Sequence, residues 1–244
     1  MKYTVIIMKY IKKIFYKFFK SYIFQNKYSS FEHHNKDWKI IYNNDYKNIK
    51  LNKDSLLRKR HLDFLYNQPS LKMSNFLKKY KETRYLAIDI GSGDGWLSAK
   101  LSKYFKKIIA IETSKEAVKL AKKRYKKYSN INWINGFAED CISKIEFKKP
   151  VLFTSCHVLS HLTDNQVLKI CKIINSKKIA KNSILNFSEL YTKVNSIRKY
   201  MDTSRSIKWW NKNLANWQLD FHGPKVTKNK NEKRYKGFWG RKII

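Results

Sequence analysis

RYLAIDIGSGDGWLSAKLSKYF, residues 84–105, decides how the rest of the chain is read. Tyr85 to Ile90 makes a short apolar strand ending in Asp89. Gly91, Gly93 and Gly95 follow at once, and LSAKLSKYF, 97–105, then sets Leu97, Leu101 and Phe105 along one helical face. Strand, glycine-rich turn and helix thus succeed one another without a linker. Glycines in such a turn let the backbone approach a bound cofactor and adopt positive φ, while the helix start presents free N–H groups. The next unit adds weight: KKIIAIETS, 106–114, reads as a second strand ending in Glu112, seventeen residues after Gly95. An acid at that strand tip is placed to accept hydrogen bonds from two ribose hydroxyls, as in dinucleotide-binding folds.

Outward from this unit the alternation continues. SKEAVKLAKKRYKKY (114–128) reads as a helix, INWINGFAED (131–140) as a third strand and its loop, and VLFTSCHVLSHLTD (151–164) as a fourth strand and its loop. DNQVLKICKIINSKK (164–178) is a further helix and NSILNFSEL (182–190) a fifth strand. Across Tyr85 to Glu189 this order, together with an acid followed by G-x-G-x-G in AIDIGSGDG (87–95), resembles the class I S-adenosylmethionine-dependent methyltransferases of small-molecule type. The resemblance implies a Rossmann-like, seven-stranded, mostly parallel sheet with helices on both faces and an antiparallel C-terminal strand. It also implies an enzyme whose cofactor is S-adenosyl-L-methionine.

The resemblance carries roles over residue by residue. Asp89, Gly91, Ser92 and Gly93 would hold the methionine part of the cofactor, and Glu112 with Thr113 the ribose. In many relatives a G-D-A-E pattern after the third strand contacts adenine; here it stands as Gly136, Phe137, Ala138, Glu139. Either the Phe137 ring packs on adenine or Glu139 takes over the polar contact, and a solvated acid at a helix start remains the alternative. Ser155, at the end of the fourth strand, completes the expected cofactor residues.

The acceptor should sit at the carboxyl ends of the strands. There SCHVLSHLTD (155–164) is similar to the S-x-x-V-L-x-H-L-x-D pattern of many small-molecule methyltransferases, with His161 on the matching position. A hydroxyl acceptor must lose a proton, which makes His161 and His157 candidate catalytic residues; four apart, they would share a face if this stretch were helical. The DNA and protein amide methylases of the family show N/D-P-P-Y/F at this place, whereas residues 154–157 read TSCH. Base-amine methylation is disfavoured, and O-methylation of a small molecule, a sugar or a glycolipid intermediate leads.

Beyond Glu189 the helical spacing of VNSIRKYMDTSRSIKWW (194–210) predicts a helix. NWQLDFHGPKV (216–226) and KGFWGRKII (236–244), joined by KNKNEKRY, are expected as the sixth and seventh strands, antiparallel. Trp209, Trp210, Trp217, Phe221 and Trp239 crowd this tail, suited either to sugar faces or to core packing at the sheet edge. His222, before Gly223 and Pro224, is a third catalytic candidate. The domain is therefore drawn as 70–244, with an aromatic substrate region over 190–244 and a helix in SLKMSNFLKKY (70–80).

Ahead of it, on a helical wheel of residues 6–24, Lys9, Lys12, Lys13, Lys17 and Lys20 fall opposite Ile7, Ile11, Ile14, Phe15, Phe18 and Tyr22. Residues 1–24 are read as a basic amphipathic helix that either lies on an anionic membrane surface or packs on the domain; Met8 is an alternative start. Residues 25–69 read as a linker and cover segment. His33 and His34 are adjacent but lack nearby ligands, and Cys141, Cys156 and Cys171 form neither a zinc spacing nor a disulfide framework, so no metal and a reducing, cytoplasmic compartment are expected.

The 244 residues carry 53 Lys and Arg against 18 Asp and Glu, a net charge of +35. That charge admits a phosphate-rich partner, so an RNA methyltransferase is a rival reading. Only eight of the basic residues are Arg, the side chain suited to bidentate base and phosphate recognition, which weakens it. A catalytically inactive cofactor-binding adaptor is the second rival.

Overall fold

The computed structural model describes residues 85–189, 191–192, 196–197, 203–221 and 237–244. The amphipathic segment, the 25–69 segment, the helix expected over 70–80 and His222 lie outside the described residues.

The order of elements is β1 (Leu86–Ile90), α1 (Trp96–Leu101), β2 (Lys107–Glu112), α2 (Lys115–Arg124), β3 (Ile131–Asn135), α3 (Ala138–Ser143) and β4 (Val151–Cys156). A 3-10 turn over Leu159–His161 leads to α4 (Asp164–Asn175) and β5 (Ile184–Ser188). Then come the short strands β6 (Tyr191–Thr192), β7 (Ser196–Ile197) and β8 (Thr203–Ser206), α5 (Ile207–Asn213), β9 (Trp217–Phe221) and β10 (Phe238–Lys242).

Seven strands form one sheet in the order β3-β2-β1-β4-β5-β10-β9. The first five are parallel; β10 runs antiparallel to both β5 and β9. The expected sheet and its reversed C-terminal strand are therefore present, with the last strand in sequence inserted between β5 and β9. Strand order reverses direction at β1, between β2 and β4, the place where open α/β sheets open a crevice at their carboxyl ends.

The alternation of side chains along each strand divides the core in two. Ile88, Ile90, Ile109, Ile111, Phe153, Leu185 and Phe187 face α4, packing with Val167, Ile170 and Ile174. Ala87, Ile108, Ala110, Leu152 and Ile184 face the other way, onto Leu97 and Leu101 of α1 and onto Phe105. Because both faces are covered, the central strands are apolar almost throughout.

Helix starts follow their local chemistry. Ser114 caps α2 by accepting from the Ala117 N–H at 3.2 Å, with Glu116 in the first turn and Lys122, Lys123 and Arg124 in the last, where the helix dipole favours them. Thr163 and Gln166 form a capping box at the start of α4.

Three expectations fail. Of the helix expected over 194–210, the described residues show Ile207–Asn213 as helix, while Ser196–Ile197 and Thr203–Ser206 are the antiparallel strands β7 and β8, and β6 pairs parallel with β8. Ser206 ends the extended run by accepting the Trp209 N–H at 3.1 Å, an N-cap that excludes helix before it. Nor do His157 and His161 share a helical face, because His157 has φ +55 and only Leu159–His161 forms a single 3-10 turn. α1 also closes at Leu101, although Phe105 remains in the same core cluster.

The aromatic tail is spent largely on packing. Trp210, Trp217 and Phe238 are buried in the α4-side core, with the Phe187 and Phe238 rings edge to face at 5.6 Å. No helix among the described residues is long and apolar enough to cross a membrane.

Candidate active site

The carboxyl ends of β1 and β2 bring Asp89, the glycine turn and Glu112 together. Gly91, Gly93 and Gly95 all have positive φ, +68, +53 and +84. Two of them also sit where no side chain fits: a Cβ on Gly91 would stand 2.3 Å from Val158 Cγ2, and one on Gly95 would stand 2.3 Å from the Trp133 ring. The turn is anchored by its own amides, Ser92 N–H donating to the Ile111 carbonyl at 2.9 Å and Gly95 N–H to that of Ser92 at 2.9 Å. Asp94 forms an ion pair with Arg124, which ties the turn to α2.

Asp89 lies buried under this turn and accepts a hydrogen bond from Ser98 Oγ at 2.6 Å. Burial pushes its carboxyl up to about 7; the Ser98 hydrogen bond opposes the rise and the charge of Glu112 adds to it. Glu112 is buried as well. It accepts from Gly93 N–H at 3.0 Å, Ser114 N–H at 2.8 Å and Thr113 Oγ1 at 3.2 Å, and burial raises its pKa against these bonds. The tip of β3 is fastened to the same place, Asn135 Nδ2 donating to the Glu112 and Thr113 carbonyls at 2.9 Å each. Ala138 and Glu139 begin α3 and are buried; Glu139 accepts from Gln166 Nε2 at 3.4 Å.

S-adenosylmethionine fits these residues. The backbone turn has no room for side chains, two carboxylates stand at adjacent strand tips, and the buried Ser92 hydroxyl has no hydrogen-bond partner, a donor and acceptor left for a ligand.

The turn after β4 carries the two catalytic candidates. His157, in the left-handed region, is held by its N–H donating to the Ser188 carbonyl at 3.0 Å; that conformation costs a non-glycine residue on the order of 1 kcal/mol. His161 N–H donates to the Val158 carbonyl at 2.9 Å. Ser155 is placed apart from the glycine turn's hydrogen bonds, donating its hydroxyl to Glu189 Oε1 at 2.7 Å. Cys156 lies beside them, its thiol pushed well up by burial and by the charges of Glu189 and Asp89, so it is no thiolate nucleophile.

Two residues at this site were missed from the sequence. Glu189, just after β5, and Arg205, on β8, both contact the turn after β4, and nothing in the linear spacing distinguishes either. Only the strict placement of an acid at the end of a buried strand, as at Glu112, could have flagged Glu189.

Comparison with known proteins agrees with this geometry. Residues 87–176 match the model of a methyltransferase-domain family. A probable cobalt-precorrin-6B C(15)-methyltransferase (decarboxylating) of Methanococcus maripaludis is 28% identical over 132 residues, 53% of this chain and 67% of that protein. Among solved structures, the N-methyltransferase NodS of Bradyrhizobium japonicum with S-adenosylhomocysteine is 16% identical, covering 83% of this chain and 99% of that one at a TM-score of 0.54. Phosphoethanolamine N-methyltransferase 1 of Haemonchus contortus is 14% identical, covering 88% of this chain and 50% of that one at a TM-score of 0.58. The solved structures speak for the fold; the family match, with the glycine turn, speaks for the chemistry. The match over residues 87–176 and the glycine turn make this a methyltransferase that uses S-adenosylmethionine as its cofactor.

Proposed function

We propose that this methyltransferase acts on a hydroxyl of a small-molecule acceptor. In this reading Asp89, Gly91, Ser92 and Gly93 hold the methionine part of the cofactor, Glu112 and Thr113 the ribose, and Ala138 and Glu139 the adenine. Ser155 supports the turn through Glu189. Bound S-adenosylmethionine supplies an electrophilic methyl group on a sulfonium. The chain's own part is to align the acceptor oxygen with that methyl, exclude water and take the proton.

The observation that carries the hydroxyl assignment is the position of two imidazoles, His157 and His161, on a turn whose Val158 lies against Gly91. A ring nitrogen of His161 is the base, with His157 the second choice; imidazole is the side chain best suited to accept a hydroxyl proton near neutral pH. Trp210 and Trp217 belong to the core, which leaves the partly buried Trp209, Phe221 and Trp239 as the aromatic rings of the tail that a sugar acceptor could meet. A second reading, transfer to carbon on a tetrapyrrole, is favoured by the Methanococcus maripaludis relative.

Methyl-labelled S-adenosylmethionine offered with a lysate split into RNA, glycolipid, protein and small-molecule fractions tests this. Label on a hydroxyl in the small-molecule or glycolipid fraction, reduced at least about tenfold by His161→Gln, is expected. Label on carbon of a tetrapyrrole promotes the second reading; label in RNA promotes the RNA rival and gives the +35 charge a function. No label in any fraction, with S-adenosylhomocysteine still bound, leaves the adaptor.

A further inference from the structure

The turn after β4 is gripped from both ends by residues far away in sequence. Glu189, 1% exposed, takes the N–H groups of Val158, Leu159 and Ser160 on its carboxylate at 3.0, 3.1 and 3.2 Å, beside the Ser155 hydroxyl. Arg205, also 1% exposed, donates Nη1 to the Leu159 carbonyl at 2.6 Å and Nη2 to the Leu162 carbonyl at 2.7 Å, while its Nε reaches Asp164 at 2.9 Å. A negative group therefore stands at the amide end of the turn and a positive one at its carbonyl end, the sense its peptide dipoles favour.

Both charges sit where burial disfavours them: the Glu189 pKa is raised and that of Arg205 lowered by loss of water. Three backbone N–H bonds and a hydroxyl satisfy the four lone-pair sites of one buried carboxylate, and in doing so fix three successive amides of the turn. What the grip fixes is Val158, so tight on Gly91 that no Cβ could stand between them. It does so through a backbone that starts from the left-handed His157, a conformation that outside contacts must hold.

We propose that Glu189 and Arg205 are positioning residues for the cofactor. By setting the turn after β4 they seat Val158 on Gly91, and so they shape the glycine turn from above as Asp94 and Arg124 fasten it to α2. The short strand β8 enters the site by this route, its Arg205 guanidinium holding the Leu159 and Leu162 carbonyls of the turn. The inference rests on the cofactor placement proposed above.

Calorimetric binding of S-adenosylhomocysteine, read beside amide exchange at Val158, Leu159 and Ser160, tests it on the full chain. Glu189→Gln is expected to weaken binding about tenfold and to speed exchange at those three amides, with the β1 and β2 amides exchanging as in wild type. Val158→Ala should weaken binding similarly, and the double variant no further than the weaker single one, because both act through one contact. Arg205→Lys, which keeps the charge, should restore part of what Arg205→Met loses. Should Glu189→Gln fail to fold, the Arg205 pair carries the same comparison. Wild-type affinity in Glu189→Gln and Arg205→Met, or losses that simply add to that of Val158→Ala, would overturn the positioning role. A wild type that binds no S-adenosylhomocysteine overturns the cofactor placement itself, and the inference with it.

Discussion

Gly93 donates its backbone N–H to Glu112 Oε2 at 3.0 Å, so the glycine turn after β1 and the acid at the tip of β2 form one hydrogen-bonded unit. The carboxylate expected to hold ribose therefore also sets the turn expected to hold the methionine part. Substitution there acts on both halves of the cofactor site at once.

Glu112→Ala is accordingly expected to weaken S-adenosylhomocysteine binding by about 10- to 100-fold, roughly 1.4 to 2.8 kcal/mol, more than loss of a single ribose hydrogen bond. Glu112→Gln, which keeps one acceptor oxygen, should fall between. Titration calorimetry on both variants checks this; unchanged affinity in Glu112→Ala would remove Glu112 from the site.

Asp89 has a folded pKa of about 7 against an ordinary value of 3.8. Below pH 4 the carboxyl is protonated whether the chain is folded or not, and it contributes nothing to pH dependence. Between about 4 and 7 the folded form holds a proton that the unfolded form has released, so stability falls as pH rises across that window. Asp89→Asn should remove this loss, raising the melting temperature at pH 8 but hardly at pH 4. If the cofactor's ammonium meets Asp89, the same carboxyl must ionise on binding. Affinity for S-adenosylhomocysteine should then decline as pH falls below 7, with up to one proton released, and calorimetry in buffers of different ionisation enthalpy reads that number.

Gly91→Ala combines a φ of +68 with a Cβ 2.3 Å from Val158 Cγ2. The expected cost is about 1–3 kcal/mol of stability, measured by urea unfolding, together with loss of detectable cofactor binding. Val158→Ala in the same chain should recover part of the stability, since it removes the atoms that collide. Failure to recover would assign the cost to backbone conformation alone.

Asn186 and Thr154 are paired in register on β5 and β4, both are buried, and the Asn186 amide atoms and the Thr154 hydroxyl find no hydrogen-bond partner. Replacing Asn186 by Leu, which has the same side-chain branching without the polar atoms, should raise the unfolding free energy by about 1–2 kcal/mol, because an orphaned amide is removed from the sheet. A fall in the urea midpoint instead would mean that an internal water satisfies these groups.

The α/β architecture was legible because its signals are local. A strand buried on both faces is a largely apolar run and a glycine turn needs glycines; β1 to β5, α1, α2 and α4 were placed in this way, whereas α3 stands in a stretch read as the loop after the third strand. The tail was less legible. Helical spacing proved coincidental at Ser196–Ile197 and Thr203–Ser206, because the backbone hydrogen bonds of β7 and β8 come from each other rather than from i,i+4 neighbours.

The sequence by itself determined the class of fold, the cofactor and the residues of the glycine turn, since each depends on residue type at short spacing. Only the tertiary structure decided how the acceptor side is held. Glu189 and Arg205 stand 30 and 46 residues from the Leu159 amide and carbonyl they grip, and the aromatic tail turns out to fill the core. Contacts across such separations depend on which strands become neighbours, and strand order is set by packing of the whole sheet rather than by any one segment.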